Sequence, residues 1–321
     1  MKVSVLVPIY GVERYIAHCA ETLFRQSYDN IEYIFVDDAT PDNSTGVLND
    51  VLSRFPERQQ QVRIIHHEHN RGLGAARLTA LQAATGDYVM HVDSDDALPA
   101  DAVSVLVGRA QQTHCDIIDG GYEVICRDKV VSRHMPYHGS KGSFLRLMLC
   151  QNIVLSMVWA RLYRRELYFE HDVLPIEGID NAEDLAIVPR IYFFATRAVT
   201  DHVVYHYRDD NATSYTNAAR SEKAMRSYLR ANSVVFKFYQ DTPGSTPYGY
   251  PLQLGYLNVL RDVRSNGFPV QWVDELCPLR PRNIFVRLMA GILRSRCPLS
   301  LANVLYLCLR KLYEIKVRHA S

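Results

Sequence analysis

The sequence lacks several features by which whole classes of protein are recognised. No apolar run reaches the roughly 18 residues that a membrane-spanning helix needs, and no internal repeat or low-complexity linker is present. The seven cysteines show neither Cys-x-x-Cys nor Cys/His spacing, so neither a zinc site nor a thiol-disulfide motif is indicated. Because their number is odd and the chain opens on a strand pattern rather than a secretory signal, we expect a protein of the reducing cytosol.

The charge of the chain is nearly balanced overall but unevenly distributed. The net charge is +1, yet residues 278–321 hold nine Lys or Arg against one acid, Glu314. That tail carries a net charge of +8, and the 27 bases and 34 acids that remain give the body a net charge of −7. A basic end on an acidic body predicts two different partners, and a nucleic-acid partner is not expected.

Within this tail, basic residues are interleaved with apolar ones. Arg282, Arg287 and Arg294, for example, alternate with side chains such as Phe285 and Leu288. The pattern predicts one or two basic amphipathic helices, which suit the anionic inner leaflet of a membrane. A helical cap that packs on the acidic body is the alternative, and the sequence leaves both interpretations open.

Strand and helix patterns alternate over the first hundred residues. Strands are predicted at Val3–Pro8, Ile31–Asp38, Val62–Ile65 and Tyr88–Val92, and helices at Val12–Gln26, Val47–Phe55 and Asn70–Ala84. Such alternation favours a mainly parallel sheet wound in right-handed crossovers. The segments Pro8–Tyr10, Asp37–Asp38 and Asp93–Asp96 should therefore emerge at one edge of that sheet, where open α/β sheets bind ligands.

Acidic side chains cluster where the predicted strand Tyr88–Val92 ends. Asp93, Asp95 and Asp96 lie within four positions and repel one another unless a positive group sits between them. Carboxylate oxygens are hard ligands, so the expected guest is Mg²⁺ or Mn²⁺, held by few protein ligands and completed by phosphate and water. The alternative is a polar turn that caps the helix predicted to begin near Ala100.

The pattern changes after Gln112. The predicted elements are a hairpin over Ile117–Ile125 and Lys129–Arg133 turned at Arg127–Asp128, helices at Ser143–Cys150, Arg164–His171 and Asn181–Phe194, and strands at Met157–Tyr163 and Val203–Arg208. Beyond Ser221 the chain is expected to be mostly helical. Glu183 and Asp184 fall in the first turn of a predicted helix, where acids also suit the helix dipole.

Five short motifs follow one another along the chain. They are Val5–Tyr10 (VLVPIY), Phe35–Asp42 (FVDDATPD), Asn70–Arg77 (NRGLGAAR), Val92–Asp96 (VDSDD) and the acidic pair Glu183–Asp184. Together they resemble the motifs of the inverting glycosyltransferase family 2, of the bacterial surface-polysaccharide type, whose catalytic domain has the nucleotide-sugar-binding GT-A fold. The resemblance covers residues 1–215. It departs from the family pattern at Gly11, Ala39 and Leu78, where the family has Asn, Gly and Asn.

The resemblance implies nucleotide-binding roles for residues at the predicted sheet edge. Pro8 and Tyr10 would line the base pocket, and Asp38 would accept a hydrogen bond from the base. Arg77 would contact the base end of the nucleotide or its phosphates. Asp93 would hold the ribose or lie in the outer coordination shell of a metal ion. Each also has an ordinary structural explanation, such as strand termination by Pro8, a turn cap by Asp38 or a solvated helix position for Arg77.

The same resemblance implies a metal site. Asp95, with Asp93, would hold a Mn²⁺ or Mg²⁺ ion that bridges both phosphates of the donor and stabilises the departing charge. Asp96 would support Asp93 and Asp95 without binding the ion itself. His206 is assigned to the metal and Arg208 to the diphosphate, although a histidine beside a tyrosine is more often structural.

The acidic pair after residue 180 is implied to carry the general base. Asp184 would remove the proton from the acceptor hydroxyl as this attacks the anomeric carbon from the face opposite the diphosphate, which inverts the anomeric centre. Glu183 is the alternate base or an orienting neighbour. Capping of the helix N-terminus is the structural explanation for both.

We therefore expect an α/β protein of the GT-A class, with a Rossmann-like, mainly parallel sheet, helices on both faces and a mostly helical C-terminal region. Residues 1–112 are predicted to form the nucleotide-sugar-binding half of the GT-A domain, and residues 113–220 the acceptor-binding half. Residues 221–321 are predicted to form the helical region with the basic amphipathic tail.

The predicted function is transfer of a single sugar from a nucleotide sugar, a UDP-sugar, to an acceptor hydroxyl of a surface polysaccharide, an oligosaccharide or a lipid-linked glycan. Processive synthases of the family carry a Gln-x-x-Arg-Trp motif, which is absent here. The enzyme is expected in the cytoplasm or on the cytoplasmic face of the membrane. The alternatives are a sugar-nucleotide nucleotidyltransferase, for which a Gly-rich, Lys-containing loop after the first strand is missing, and a catalytically inert nucleotide- or glycan-binding subunit.

Overall fold

The computed structural model describes residues 1–150, 156–211, 221–295 and 297–319. The chain forms two compact units. The first consists of Met1–Pro136, Met157–Asp180 and Phe194–Ala218, and the second of Tyr137–Ser156, Asn181–Phe193 and Ala219–Ser321. The division into 1–112, 113–220 and 221–321 stays a prediction.

The helices and strands follow in this order: β1 Val3–Ile9, α1 Ile16–Phe24, β2 Ile31–Asp37, α2 Ser44–Ser53, β3 Val62–His66, α3 Leu73–Ala83, β4 Tyr88–His91, α4 Ala102–Thr113, β5 Ile117–Cys126, β6 Lys129–His134, α5 Lys141–Leu149, β7 Arg161–Arg164, α6 Glu166–Glu170, α7 Glu183–Phe194, β8 Arg197–Arg208, α8 Glu222–Asp241, α9 Gly249–Ser265, α10 Gln271–Leu276, α11 Ile284–Arg294 and α12 Leu299–His319. The alternation predicted for the first hundred residues is confirmed.

The first unit is built on one mixed sheet. Its strand order is β3-β2-β1-β4-β7-β5-β6, and β8 pairs with β5. The strands β1 to β4 pair only in parallel with one another, whereas β7 runs antiparallel to both β4 and β5. After β1 the chain moves to β2 and β3 on one side, and then returns to place β4 on the other side of β1. Adjacent loops therefore diverge between β1 and β4, which is the topological switch point at which α/β sheets bind ligands.

The core of this unit explains why these segments become strands and helices. Every residue of β1 is buried, as expected for a parallel strand whose two faces are both covered by helices. The helix α1 buries Ile16, Cys19 and Leu23, the residues whose spacing predicted it. Its last residue, Phe24, packs edge-on against Tyr33 of β2 with ring centroids 5.4 Å apart. Each such apolar side chain contributes about 1.5–3 kcal/mol when fully buried.

Several predicted boundaries were wrong; the strand expected from Met157, for example, begins at Arg161. The strand β1 does not end at Pro8 but runs on to Ile9, with Pro8 paired to Val36. Proline is tolerated there because β4 has already ended beside Leu6, so no neighbour on that side needs its missing amide. The strand β8 begins at Arg197, six residues earlier than Val203. The predicted hairpin turn is confirmed at Arg127 and Asp128, whose φ angles are 49° and 58°.

The second unit is helical, and its core is formed by apolar faces of α5, α7, α8, α9, α11 and α12. The prediction of mostly helical structure beyond Ser221 is confirmed. The basic tail forms α11 and α12, while Arg296 lies outside the described residues. Within the described ranges, no helix combines the length and apolar character required to cross a membrane.

Candidate active site

The carboxyl ends of β1, β2 and β4 lie at one edge of the sheet of the first unit. Their parallel register brings Tyr10, Asp38 and Asp93 to that edge, as the sequence predicted. Pro8 is buried within β1, whereas the side chain of Tyr10 is 49% exposed. An exposed aromatic ring beside the switch point is available for stacking against a planar ligand.

The acidic loop after β4 is held by β8. The Tyr205 hydroxyl donates to Asp96 Oδ2 at 2.7 Å, and the backbone amide of Arg208 donates to Asp96 Oδ1 at 2.7 Å. The amide of Ala97 donates to the carbonyl of His206 at 3.1 Å, and the amide of His206 donates back at 2.9 Å. Asp96 is almost fully buried, and this burial, with the nearby charges of Asp95 and Asp93, raises its pKa well above its usual value. Asp96 therefore fixes the loop rather than facing solvent.

Asp93 and Asp95 are each engaged at one oxygen. Arg77, itself buried in α3, donates from Nη2 to Asp93 Oδ1 at 2.8 Å. Asn211 donates from Nδ2 to Asp95 Oδ2 at 2.7 Å. Burial and the charge of Asp93 raise the pKa of Asp95, and the Asn211 hydrogen bond and the charge of Arg208 offset only part of that rise. A positive ion beside Asp95 would offset the cost of keeping its charge buried next to Asp93.

The donor set limits how a metal ion could be held. Among the described residues, no group of three or more His, Cys, Asp or Glu side chains is arranged to hold one. Two neighbouring carboxylates fit an ion that takes few protein ligands, as Mg²⁺ and Mn²⁺ do when a diphosphate and water complete their coordination. The residues present thus fit a divalent cation bound together with a nucleotide.

Asp38 ties the end of β2 to the loop before α3. It accepts the backbone amides of Arg71 and Gly72 at 2.9 and 2.8 Å, and Nδ1 of His67 lies 2.6 Å from its Oδ1. The other ring nitrogen of His67 lies 2.9 Å from Thr79 Oγ1. These contacts occupy three of the roughly four acceptor positions of a carboxylate that is itself buried. The contact between Asp38 and a nucleotide base stays a prediction. The contact between His67 and Asp38 was not predicted from the sequence.

The glycines of the NRGLGAAR motif allow a close approach of a distant loop. Gly72 has φ +90°, and a Cβ there would lie 2.2 Å from a carboxylate oxygen of Asp180. The amide of Gly74 donates to Asp180 at 3.3 Å, and a Cβ on Gly74 would meet the carbonyl of Ile176. Asp180 therefore caps the N-terminus of α3, a partner that no local pattern indicates.

The two basic residues predicted to reach the metal or diphosphate differ in their surroundings. His206 Nε2 lies 3.5 Å from Glu123 Oε2 on β5, and burial lowers the pKa of His206. The Arg208 guanidinium lies 3.2 Å from Asp210 and stacks over the ring of Tyr15. Arg208 is also close enough to Asp95 to act against the rise of that pKa. Both assignments stay predictions.

Strand alternation explains why Tyr205 faces the acidic loop. Trp159 stacks on Tyr205 and on Tyr207, with ring centroids 4.7 and 5.4 Å apart and nearly parallel planes. Residues two apart on a strand share a face, so the indole fixes both rings on one side of β8. This leaves His206 on the other side, towards Glu123.

Glu183 and Asp184 begin α7 in the second unit. Glu183 is buried, while Asp184 is partly exposed. Ser227 of α8 accepts the amide of Asn181 and donates to its carbonyl, both at 3.0 Å, and so holds the backbone just before α7. A general base must meet its substrate, so the more exposed Asp184 is the better placed of the two. The assignment of the base stays a prediction.

A comparison with protein-family models matches residues 4–171 to Glycosyl transferase family 2. The matched stretch is more than half of the chain and includes all strands from β2 to β7. The chain belongs to glycosyl transferase family 2. Glu183 and Asp184 follow the stretch that the family model covers, so their assignment depends on the sequence motif alone.

One curated relative is EpsJ of Bacillus subtilis (strain 168), described as an uncharacterized glycosyltransferase. It is 32% identical over 220 residues, which make up 65% of this chain and 61% of EpsJ. The chain thus spans less than two thirds of the length of EpsJ, and the same holds for EpsH of that organism, at 60%.

Two solved structures share the fold of this family 2 chain. Staphylococcus aureus TarS 1–349 in complex with UDP-GlcNAc has a TM-score of 0.61 and 19% identity, over 97% of this chain and 92% of that one. The mannosyltransferase PcManGT of Pyrobaculum calidifontis, in complex with GDP-Man and Mn²⁺, has a TM-score of 0.52 and 16% identity, over 98% and 87%. The expected GT-A fold with a helical C-terminal region is confirmed.

Proposed function

We propose that this chain transfers a single sugar from a UDP-sugar to a hydroxyl group of a surface polysaccharide, an oligosaccharide or a lipid-linked glycan, with inversion. The observation that carries the proposal is the pair Asp93 and Asp95 at the topological switch point, each fixed at one oxygen by a neighbouring side chain. Membership of glycosyl transferase family 2 supports the reaction class. The UDP-GlcNAc complex of TarS supports the donor class.

Asp93 and Asp95 are the residues that would hold Mn²⁺ or Mg²⁺, which when bound supplies charge neutralisation to the leaving diphosphate. The Mn²⁺ complex of PcManGT supports this choice of metal. Arg77 orients Asp93, and Asn211 orients Asp95. Because both supporting contacts come from side chains that are themselves buried, the two carboxylates are preorganised for a cation.

Asp184 is our choice of general base, with Glu183 as the alternate. Asp184 lies in the first turn of α7, where the helix dipole favours negative charge. A carboxylate at that position can accept the proton of the acceptor hydroxyl during attack on the anomeric carbon. Displacement in one step from the face opposite the diphosphate gives the inverted product.

The deciding experiment combines nucleotide binding with turnover. The protein is heated with UDP, GDP, dTDP, CMP or ADP, each with and without Mn²⁺, because a ligand that binds only the native state raises the Tm. We expect stabilisation by UDP that depends on Mn²⁺ and is lost in Asp95→Ala. A preference for another nucleotide would replace the donor class, and no shift with any of them would overturn the proposal.

The alternatives predict different products. With UDP-GlcNAc and a mixture of glycan acceptors, release of UDP supports glycosyl transfer, whereas release of pyrophosphate in a second assay with UTP and N-acetylglucosamine 1-phosphate would identify a nucleotidyltransferase. Asp184→Asn should keep the UDP-induced rise in Tm and lose transfer. If the parent protein binds UDP with Mn²⁺ but never turns over, the inert binding subunit is the correct interpretation.

A further inference from the structure

The helix α11 of the second unit carries apolar side chains on two opposite faces. Its buried residues are Val286, Met289, Ala290 and Leu293. The other face exposes Ile284, Phe285 and Leu288 to 56%, 65% and 59%. A helix that packs on one side normally turns polar side chains towards water. The outer face of α11 is therefore an apolar surface that the described part of the chain leaves uncovered.

Arginine side chains border this surface. Arg280, Arg282 and Arg287 are all exposed, and Arg287 lies on α11 itself. The sequence contains no Asp or Glu between Glu275 and Glu314. Within the four described ranges, no acid forms an ion pair with any of the three arginines. We call the set Arg280, Arg282, Ile284, Phe285, Arg287 and Leu288 the α11 patch.

The helix α12 also has an exposed apolar face, but its charge is compensated in part. Leu312, for example, is 68% exposed. Glu314 accepts hydrogen bonds from Lys311 at 3.1 Å and from Arg318 at 2.9 Å, so two of the bases of α12 are paired with an acid. The α11 patch is therefore a part of the tail where apolar side chains coincide with arginines that no described acid pairs.

We propose that the α11 patch binds an anionic phospholipid surface. The apolar side chains would enter the boundary between headgroups and acyl chains, while the arginines meet lipid phosphates. A second copy of the chain is a poor occupant, because its own patch would bring three more arginines against the first three. In this proposal, α11 would pack on the protein with one face and on lipid with the other, which would satisfy both expectations for the basic tail.

The experiment is co-sedimentation of the full chain with vesicles, and it does not depend on the proposed function. We expect binding to vesicles of phosphatidylcholine mixed with phosphatidylglycerol, little binding to phosphatidylcholine alone, and weaker binding as salt is raised. The double variant Arg282→Gln/Arg287→Gln should bind about 25-fold more weakly, at about fivefold per arginine. The double variant Phe285→Ser/Leu288→Ser should lose binding.

Matched controls lie elsewhere on the exposed surface. Arg230→Gln/Lys237→Gln removes two exposed bases from α8, and Val131→Ser removes an exposed apolar side chain from β6. Both should bind as the parent does, and the Tm of every variant should stay close to that of the parent because all these side chains are exposed. Equal binding to neutral vesicles, or equal losses in the controls, would overturn the proposal. So would a dimer in sedimentation velocity that Phe285→Ser/Leu288→Ser dissociates, with no vesicle binding.

Discussion

Tyr205 donates its hydroxyl hydrogen to Asp96 Oδ2 at 2.7 Å, across 109 residues of sequence. The hydroxyl oxygen of Tyr205 accepts the backbone amide of Asp93 at 3.0 Å. One side chain of β8 thus fixes both the buried acid that supports the loop and the backbone of an acid proposed to bind metal. The shape of the acidic loop therefore depends on β8 as much as on β4.

Tyr205→Phe should weaken this arrangement without changing the packing of the ring. Leaving Asp96 with one hydrogen bond fewer in a buried position should cost about 1–3 kcal/mol of unfolding free energy. We also expect a higher Mn²⁺ concentration for half-maximal stabilisation by UDP, measured by thermal shift. Tyr33→Phe is the matched control, because the Tyr33 hydroxyl is also buried and donates to the carbonyl of Leu23 at 2.6 Å. The control should lower the Tm alone, and an equal change in Mn²⁺ dependence would contradict the role of Tyr205.

Asp95→Asn should stabilise the protein when no metal ion is present. Burial and Asp93 raise the folded pKa of Asp95 above its usual value of 3.8, so between these two values the folded protein binds more protons than the unfolded chain. The unfolding free energy therefore falls as pH rises through that window, and the penalty is complete above the folded pKa.

The check on Asp95 is thermal unfolding from acid to neutral pH in the presence of a chelator. The Tm of Asp95→Asn should exceed that of the parent at neutral pH, and the difference should shrink as pH falls and vanish below pH 3.8. The exposed Asp50 of α2 supplies the control variant, Asp50→Asn, for which no such gain is expected. A lower Tm in Asp95→Asn at neutral pH would show that the charge is compensated within the protein.

Ala39→Gly should raise stability. Ala39 has φ 54° in the turn after β2, a left-handed conformation that costs a residue with a Cβ about 1–2 kcal/mol. Glycine removes that cost but adds about 0.4–1 kcal/mol of unfolded-chain entropy, so we expect a net gain of about 0.5–1 kcal/mol in urea unfolding. Ala17→Gly, in the first turn of α1, is the control of opposite sign and should lose up to about 1 kcal/mol. A loss in both variants would mean that the Ala39 conformation is not strained.

Glu32 should make the unfolding free energy of the protein depend on pH in the acid range. Burial acts to raise its pKa, but hydrogen bonds from Lys2, Ser4 and Thr85 outweigh it and lower the pKa to about 2. The stabilisation is therefore complete above the usual value of 4.5 and is lost as pH falls through about 2. Glu32→Gln should lower the Tm at neutral pH and flatten its fall in that window. Glu57→Gln, at an exposed position, should leave the profile unchanged.

Much of the fold was predictable because it is encoded locally. The apolar periodicity of Val3–Ile9 and Ile16–Phe24 identifies a buried strand and an amphipathic helix without any tertiary information. Acids that directly follow parallel strands must lie at the edge of the sheet where those strands end. The position of Asp38 and Asp93 at the same edge was therefore predictable as well. The end of β1 was not, because whether Pro8 terminates the strand depends on how far β4 extends.

The partners of the site residues could not be predicted in this way. Asn211 meets Asp95 across 116 residues, and Asp180 reaches Gly74 across 106. Neither residue stands in a local pattern, because Asn and Asp are common in turns and nothing in the neighbouring sequence indicates a distant contact.

The sequence by itself determined the α/β class, the position of the acidic cluster at a strand end and the amphipathic character of the tail. These properties follow from residue type and spacing along one segment. Only the tertiary structure decided that Tyr205 and Asn211 hold the acids, and that α11 keeps Phe285 exposed while burying Leu293. The physical reason is that hydrogen bonding and burial depend on which distant segment occupies the neighbouring space, and spacing along the chain does not carry that information.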